Sequence, residues 1–93
     1  MWDVKPRKGI LNSLKKYPEK VKKILFVLIK ELKEDGPYRK NWSNYGKLKG
    51  HKDTFHCHIK KGNPTIVAIW SIKDKKIKLL EVTYVGTHEK APY

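Results

Sequence analysis

The sequence has one cysteine, no long apolar run and few acidic residues. Cys57 has no second cysteine with which to form an internal disulfide bond, so nothing indicates an oxidising compartment. No apolar segment approaches the roughly 20 residues that a membrane-spanning helix needs. The opening MWDVKPRKGIL lacks the apolar core of a signal peptide. We therefore expect a cytoplasmic protein with no membrane partner.

Acidic residues are scarce relative to basic ones. The 93 residues include 22 lysines and arginines against 9 aspartates and glutamates, which gives a formal net charge of +13. Such a field attracts a polyanion: nucleic acid, an acidic protein or an anionic membrane surface. A lysine-rich, solubilising surface is the alternative. The length and the periodic apolar segments predict a single domain over residues 1–93, with one modest core.

Several catalytic signatures are also absent. The sequence contains no glycine-rich phosphate loop of the Walker or dinucleotide type. Ser43 and Ser71 are not in a nucleophile-elbow context. Cys57 falls on the apolar side of an alternating segment, where a buried thiol tends to be inert. The sequence therefore gives no support to P-loop, serine hydrolase or cysteine nucleophile chemistry.

The first third of the chain predicts a short edge strand followed by two helices. Trp2–Val4 favours the strand, and Lys8–Lys16 has apolar residues at helical spacing. A second helix is predicted over residues 18–35, because its apolar residues recur at i, i+3, i+4 and i+7. Gly36-Pro37 is typical of a helix end.

Three strand-like runs occupy the second half. Thr54–Lys60 alternates between apolar and polar residues, whereas Thr65–Ile72 is almost wholly apolar, as expected of a central strand covered on both faces. Ile77–Val85 is the last strand. This order predicts an α+β domain in which two helices pack on one face of an antiparallel sheet.

The segment between the helices and these strands, residues 37–52, is rich in turns and has no clear period. Its aromatic residues alternate with cations, which suits stacking on bases and pairing with phosphates. Alternatively, Trp42 and Tyr45 hold the loop against the core while the lysines are solvated. The sequence leaves both interpretations open.

The alternation in Thr54–Lys60 places two imidazoles on one side of the strand. If Cys57 faces the helices, His56 and His58 lie on the face that the helices leave bare. Imidazole titrates near neutrality, so these residues are candidates for proton transfer or phosphate contact. A metal site completed by His51 or His88 is an alternative, but no acidic or cysteine ligand joins them at a recognised spacing. A third interpretation is that the histidines are merely exposed.

The chain ends with VTYVGTHEKAPY. Gly86 follows the last strand, and His88 comes directly after it, at the rim of the sheet, where loops often carry function. Tyr93 offers a ring for stacking, a hydroxyl and the terminal carboxylate. The alternative is a solvated tail without a role.

These segments together resemble the RelE/ParE superfamily of type II toxins. KLKGHKDTFHCHI followed by VAIWSIKD is similar to the family pattern of Leu-x-Gly, an aromatic-led strand, and an apolar strand ending in an aromatic residue and Asp. YVGTHEKAPY resembles the endings of RelE-, HigB- and YafQ-like toxins, in which a Gly-Thr-His or Gly-His-Arg element precedes a late aromatic residue. The resemblance covers essentially the whole chain.

The resemblance implies a RelE-like fold and a ribosome-dependent, metal-independent mRNA endoribonuclease without a cofactor. Its partners would be mRNA, the ribosome and a cognate acidic antitoxin that is disordered until bound. The protein would be a monomer or part of a toxin–antitoxin hetero-oligomer.

The family's functional positions can be carried over residue by residue. His88 and Tyr93 match the late histidine and aromatic residue, and His56 and His58 lie in the strand where relatives place active-site His, Lys or Arg. The resemblance therefore implies that His58 and His88 transfer protons, with His56 and Tyr93 beside them. The implied phosphate-binding residues are Lys47, Lys49, Lys52, Lys60 and Arg39.

One departure from the family pattern concerns the central strand. Many relatives have an Arg-x-x-Tyr element there, and the matching segment in this chain is Val67–Trp70, without an arginine. A lysine elsewhere cannot reproduce the planar fork of arginine. This leaves open a ParE-like gyrase-inhibiting toxin or a non-catalytic RNA-binding module, although clustered histidines favour the nuclease.

Overall fold

The structure is a computed structural model that describes all 93 residues. Neither helix has the length and the apolar character of a membrane span. Single 3-10 turns follow the first helix and the last strand, at Leu14–Lys16 and His88–Lys90. The α-helices and strands are β1 (Asp3–Pro6), α1 (Ile10–Ser13), α2 (Glu19–Asp35), β2 (Gly46–Lys47), β3 (Thr54–Lys60), β4 (Ile66–Asp74) and β5 (Leu79–Thr87).

The five strands form one sheet in the order β1-β5-β4-β3-β2. Strands β2 to β5 pair antiparallel, whereas β1 pairs parallel to β5, with Asp3 opposite Leu79. The predicted α+β fold is confirmed, with β3, β4 and β5 antiparallel as expected, and the parallel pairing of β1 makes the sheet mixed. The residue pattern of β1 fixes which side chains are buried but not the direction of its distant partner, so the sequence did not reveal the parallel pair.

Helix α2 supplies most of the helical side of the core. Its buried stripe of Val21, Leu25, Leu28 and Leu32 packs against the sheet, and burial of such side chains is the main favourable term in folding. The helix ends at Gly36, whose φ of +91° is left-handed. The predicted bounds of 18–35 are confirmed to within one residue.

Helix α1 is shorter than the predicted Lys8–Lys16. Gly9 adopts φ of +92°, which delays the start of the helix to Ile10. After Ser13 the chain tightens into a 3-10 turn as far as Lys16. Ile10 and Leu14 are buried in the core, so the short helix still covers the sheet.

The strands agree with their sequence patterns, with small shifts at the ends. β3 has the predicted bounds, and its Phe55, Cys57 and Ile59 are buried against the helices, as the alternation predicted. β4 and β5 begin one and two residues later than expected, and both extend two residues further. The two-residue β2 was missed, because so short a strand has no detectable period.

The loop after α2 is held down by one carboxylate. Glu31 accepts hydrogen bonds from Trp42 Nε1 at 2.9 Å, from Arg39 Nη1 at 3.1 Å and from Asn41 Nδ2 at 3.2 Å. The hydrogen bond from Trp42 is the largest cause that holds the pKa of Glu31 below its usual value. The loop is therefore fastened to the helix by charge-assisted hydrogen bonds.

Two further contacts attach this loop to the hydrophobic core. The Tyr45 ring stacks on Phe55 at a centroid distance of 6.1 Å, and the buried Trp70 donates its indole N–H to Pro37 O at 3.0 Å. Of the two interpretations of this loop, the structure therefore favours the one in which Trp42 and Tyr45 hold it against the core.

The environment of Arg39 does not suit the phosphate-binding role that the family resemblance implied. Its guanidinium pairs with Glu31 at 3.1 Å and with Asp35 at 3.7 Å, and only 13% of its side chain is exposed. An arginine neutralised by two carboxylates and largely buried does not present a free cation to RNA. Arg39 is part of the scaffold because the acidic residues of α2 lie directly beneath it.

We expect Glu31→Ala to lower the free energy of unfolding by about 1–3 kcal/mol, because it removes the acceptor shared by Arg39, Asn41 and Trp42. Urea unfolding followed by tryptophan fluorescence measures this change. The matched control is Glu34→Ala on the exposed side of the same helix, which should change stability by less than about 0.5 kcal/mol. Equal effects of the two substitutions would contradict the structural role of Glu31.

Candidate functional site

Strand β3 presents two histidines on the face of the sheet that the helices leave open. His56 and His58 lie opposite Ile69 and Val67 of β4, and both are half-buried. The His58 amide N–H donates to Ser43 O at 2.8 Å, which fixes the outer edge of the strand. The predicted placement of the histidines on the open face is therefore confirmed.

The end of β5 is shaped so that a third histidine meets this face. The Tyr84 hydroxyl donates to Thr87 O at 2.7 Å, and it crosses directly over Gly86. A Cβ atom on Gly86 would lie 2.6 Å from the Tyr84 hydroxyl oxygen, so a larger residue there would have to displace the Tyr84 ring. The His88 amide N–H then donates to Thr65 O at 2.9 Å, which anchors the rim residue to the start of β4.

The side chains of two distant segments form one cluster, hereafter the histidine cluster: His56, His58, His88 and Tyr93. The His58 and His88 rings lie 5.7 Å apart between centroids at an interplanar angle of 75°. Tyr93 lies 5.8 Å from His88 and 5.3 Å from His56. The structure thus brings together all four residues that the family resemblance selected as catalytic.

A cleft of about 280 Å³ opens beside this cluster, hereafter the histidine cleft. His58, His88, Thr87, the acidic Glu89 and the segment at residues 62–65 line it. Its volume is just below the usual range for small-molecule sites, so it suits a small group or one segment of a longer ligand. His58 and His88 face the same space, which allows two imidazoles to act on one bound group.

The surroundings of the cluster favour the neutral form of two imidazoles. Burial, with smaller contributions from His88 and Lys61, lowers the pKa of His58 below its ordinary value. Burial, followed by the charges of His58 and His88, lowers the pKa of His56 in the same direction. A histidine whose pKa is lowered is neutral at pH 7 and able to accept a proton.

Two further polar groups belong to the cluster: the Tyr93 hydroxyl and the Nδ1 atom of His56. Burial raises the pKa of the Tyr93 hydroxyl, so it stays protonated at neutral pH. The Nδ1 atom of His56 is buried and has no hydrogen-bond partner. Burial raises the pKa of Cys57 to about 12, and this thiol lies on the opposite face of β3.

The lysines selected from the sequence divide into two groups. Lys47, Lys49 and Lys52 line a separate cleft of about 420 Å³ next to the start of β3, hereafter the lysine cleft, together with His51 and Asp53. His58 is four residues further along the strand from Thr54, roughly 13 Å at about 3.3 Å per residue. These lysines are therefore not in the histidine cleft, and a role in binding phosphate would require a ligand that extends along the strand.

Lys60 is the one selected lysine close to the cleft. Its ammonium donates to Pro64 O at 3.0 Å, in the turn that forms one wall. His51 is exposed and lies in the lysine cleft, apart from the other three histidines. No three side chains among histidine, cysteine, aspartate and glutamate are placed to hold one metal ion.

Sequence reasoning missed the part of Tyr84 in building this site. The two-residue period along β5 places Tyr84 and Gly86 on the same face, directly before His88, and this period was the available signal. The period shows which face of the sheet Tyr84 occupies, but it does not show that the Tyr84 hydroxyl reaches over Gly86 to Thr87.

No protein-family model matches this sequence, and no curated protein matches it. Two solved structures are similar over nearly their whole length. A chain of the archaeal RelE–RelB complex from Pyrococcus horikoshii OT3 has a TM-score of 0.66 at 17% identity and covers 97% of this chain and 98% of its own length. A chain of the intact E. coli RelBE toxin–antitoxin complex has a TM-score of 0.71 at 19% identity, with 97% and 100% covered. The α+β fold expected from the sequence is confirmed, and the chain has the RelE fold.

Proposed function

We propose that this protein is the toxin of a type II toxin–antitoxin pair and that it cleaves mRNA on the ribosome without a metal ion. The observation that carries the proposal is the pair of facing imidazoles of His58 and His88, with Tyr93 beside them, on the open face of a RelE fold. A net charge of +13 supports a nucleic-acid ligand.

RNA carries its own nucleophile, so the protein needs only to move protons and stabilise charge. In the proposed reaction, His58 accepts the proton of a ribose 2′-hydroxyl, and the 2′-oxygen forms a bond to the adjacent phosphorus. The bond from phosphorus to the 5′-oxygen breaks, and His88 gives that oxygen a proton. The products are a 2′,3′-cyclic phosphate and a free 5′-hydroxyl, so protons and bonds balance.

The proposed reaction also needs a cation near the phosphate. Val67 occupies the position where many relatives have an arginine, and it is completely buried in this sheet. Lys61 lies close enough to His58 to lower the pKa of that imidazole. We assign charge stabilisation to Lys61 and Lys60, which act as point charges in place of the planar guanidinium.

Tyr93 and His56 have a positioning role in this proposal. Tyr93 is 46% exposed, so one part of its ring is free to stack on a base. The other part contacts His56, at 5.3 Å between ring centroids. His56 thus holds the tyrosine against the sheet and touches no reacting atom.

The proposed partner that controls the toxin is an acidic antitoxin. The two structural neighbours are chains from RelE–RelB and RelBE complexes. An acidic segment that is disordered until bound would cover the basic open face of this chain and neutralise it.

Single substitutions test the two proton-transfer roles. We expect His58→Ala and His88→Ala each to slow mRNA cleavage on programmed ribosomes by at least about 100-fold, the usual contribution of a positioned general acid or base. His51→Ala is the matched control, because His51 is an exposed loop histidine outside the cluster, and it should cleave at the wild-type rate. The protein is treated with EDTA, which is removed before ribosomes are added.

Other outcomes would redirect the proposal. Loss of cleavage after chelation, regained with a divalent metal, would contradict a metal-independent reaction. Growth arrest that persists in both histidine variants would point to a gyrase-inhibiting toxin, since that action does not need imidazoles. If the wild-type protein neither cleaves mRNA nor arrests growth, it is a non-catalytic RNA-binding module.

The base assignment requires His58 to be neutral near pH 7. We expect the imidazole Cε1 protons of His56 and His58 to titrate below pH 6.5 in NMR spectra, because burial and neighbouring positive charge lower both pKa values. Cleavage should therefore decline as pH falls through the pKa of His58. Replacing His88 by alanine should raise both pKa values, because one neighbouring charge is removed. A midpoint for His58 above pH 7 would contradict its role as the base, because the imidazole would then be mostly protonated at neutral pH.

A further inference from the structure

We propose that a cationic groove beside the histidine cleft binds the single-stranded RNA that continues from the cleavage position. The groove lies between the segment at residues 7–17 and the end of β5, and its volume is about 440 Å³. This inference rests on the proposed function, since it extends the substrate site of the same enzyme to neighbouring nucleotides.

The groove exists because β1 ends before β5 does. Pairing between the two strands stops at Pro6 opposite Val82, and the Arg7 amide closes the ladder by donating to Val82 O at 2.8 Å. Gly9, with φ of +92°, then turns the chain into α1. The last five residues of β5 are thus left without a strand neighbour on that side, and the space between them and α1 is open.

The lining of the groove is cationic. Four basic residues reach it, and no acidic residue does. Arg7 is partly neutralised by Glu81 at 3.3 Å. The other three, Lys8, Lys16 and Lys90, have no ion-pair partner and are exposed. Uncompensated ammonium groups around a concave surface attract phosphates.

Two aromatic rings make the groove more suited to nucleotides than to a simple anion. Tyr17 and Tyr84 both line it, and the Lys16 ammonium lies 5.7 Å from the centre of the Tyr17 ring. Bases stack on such rings whatever their sequence, while nearby cations follow the backbone. A protein partner would not require this pairing of flat rings with unpaired lysines.

The groove also joins the proposed reaction site directly. Thr87 lines both the groove and the histidine cleft, and Tyr84 contributes to the groove while its hydroxyl holds Thr87 O. A strand with one phosphate in the histidine cleft can therefore continue over Thr87 into the groove. Because nucleotides are linked in series, the two sites would bind consecutive parts of one strand.

The test is a salt titration of RNA binding, which needs neither cleavage nor ribosomes. A fluorescein-labelled single-stranded RNA of 12 nucleotides is bound by the wild type and by Lys8→Ala/Lys16→Ala, and affinity is followed by anisotropy. The slope of log K against log salt should become shallower by about 1.4 in the variant, because each phosphate contact in a single strand contributes about 0.7. The matched control is Lys23→Ala/Lys30→Ala, which removes the same charge from exposed, unpaired positions on α2.

The result that supports the groove is a shallower slope for the groove variant alone, with single-stranded RNA but not with a 12-base-pair RNA duplex. Equal changes in both variants, equal changes with the duplex, or no binding of the single strand by the wild type would each overturn the proposal. Far-ultraviolet circular dichroism confirms that the variants are folded. If the wild type fails to cut mRNA while the slopes differ as expected, the nuclease proposal fails and the groove remains.

Discussion

The burial of the first six residues of β4 is the constraint on which the rest of the structure depends. Its residues from Ile66 to Ser71 are at most 8% exposed, although only one face of the sheet is covered by helices. Trp70 and Ala68 face the helices, whereas Val67 and Ile69 point to the open face and need another cover there. Their neighbours across the sheet are His56 and His58 of β3 and Tyr84 of β5, which form this cover. Tyr93 lies 5.3 Å from His56 between ring centroids and adds to the layer over the open face.

That cover has an electrostatic consequence for the histidines. Groups placed over an apolar strand lose water, and an imidazole without water favours its neutral form. The pKa values of His56 and His58 are lowered mainly for this reason. Val67 is completely buried, so a charged side chain at that position would lose its water. In the proposed reaction the positive charge comes instead from Lys61, in the turn after β3.

The sequence predicts the local elements of this fold better than their pairing. The bounds of β3 follow from seven alternating residues, and those of α2 from an apolar stripe that recurs over almost five turns, so both patterns contain enough repeats to define their ends. The direction of β1 and the groove beside α1 depend on contacts between segments about 75 residues apart, which no local pattern encodes. The site shows the same division. Alternation places His56 and His58, and the resemblance selects His88, but the pairing of Arg39 with Glu31 requires the folded loop.

The few acidic residues decide where the positive charge remains free. Glu31 holds Arg39, and Glu81 pairs with both Arg7 and Lys73, so these carboxylates are engaged where they fasten loops and strands. Carboxylates in such pairs cannot also neutralise the lysines around the histidine cleft, the groove and the lysine cleft. Unpaired lysines therefore remain in the groove and in the lysine cleft, and also on the exposed face of α2, while Glu89 lines the histidine cleft and Asp53 lines the lysine cleft. Cations spread over separate regions favour a flexible anionic strand over a compact ligand, because a strand can reach more than one region at once.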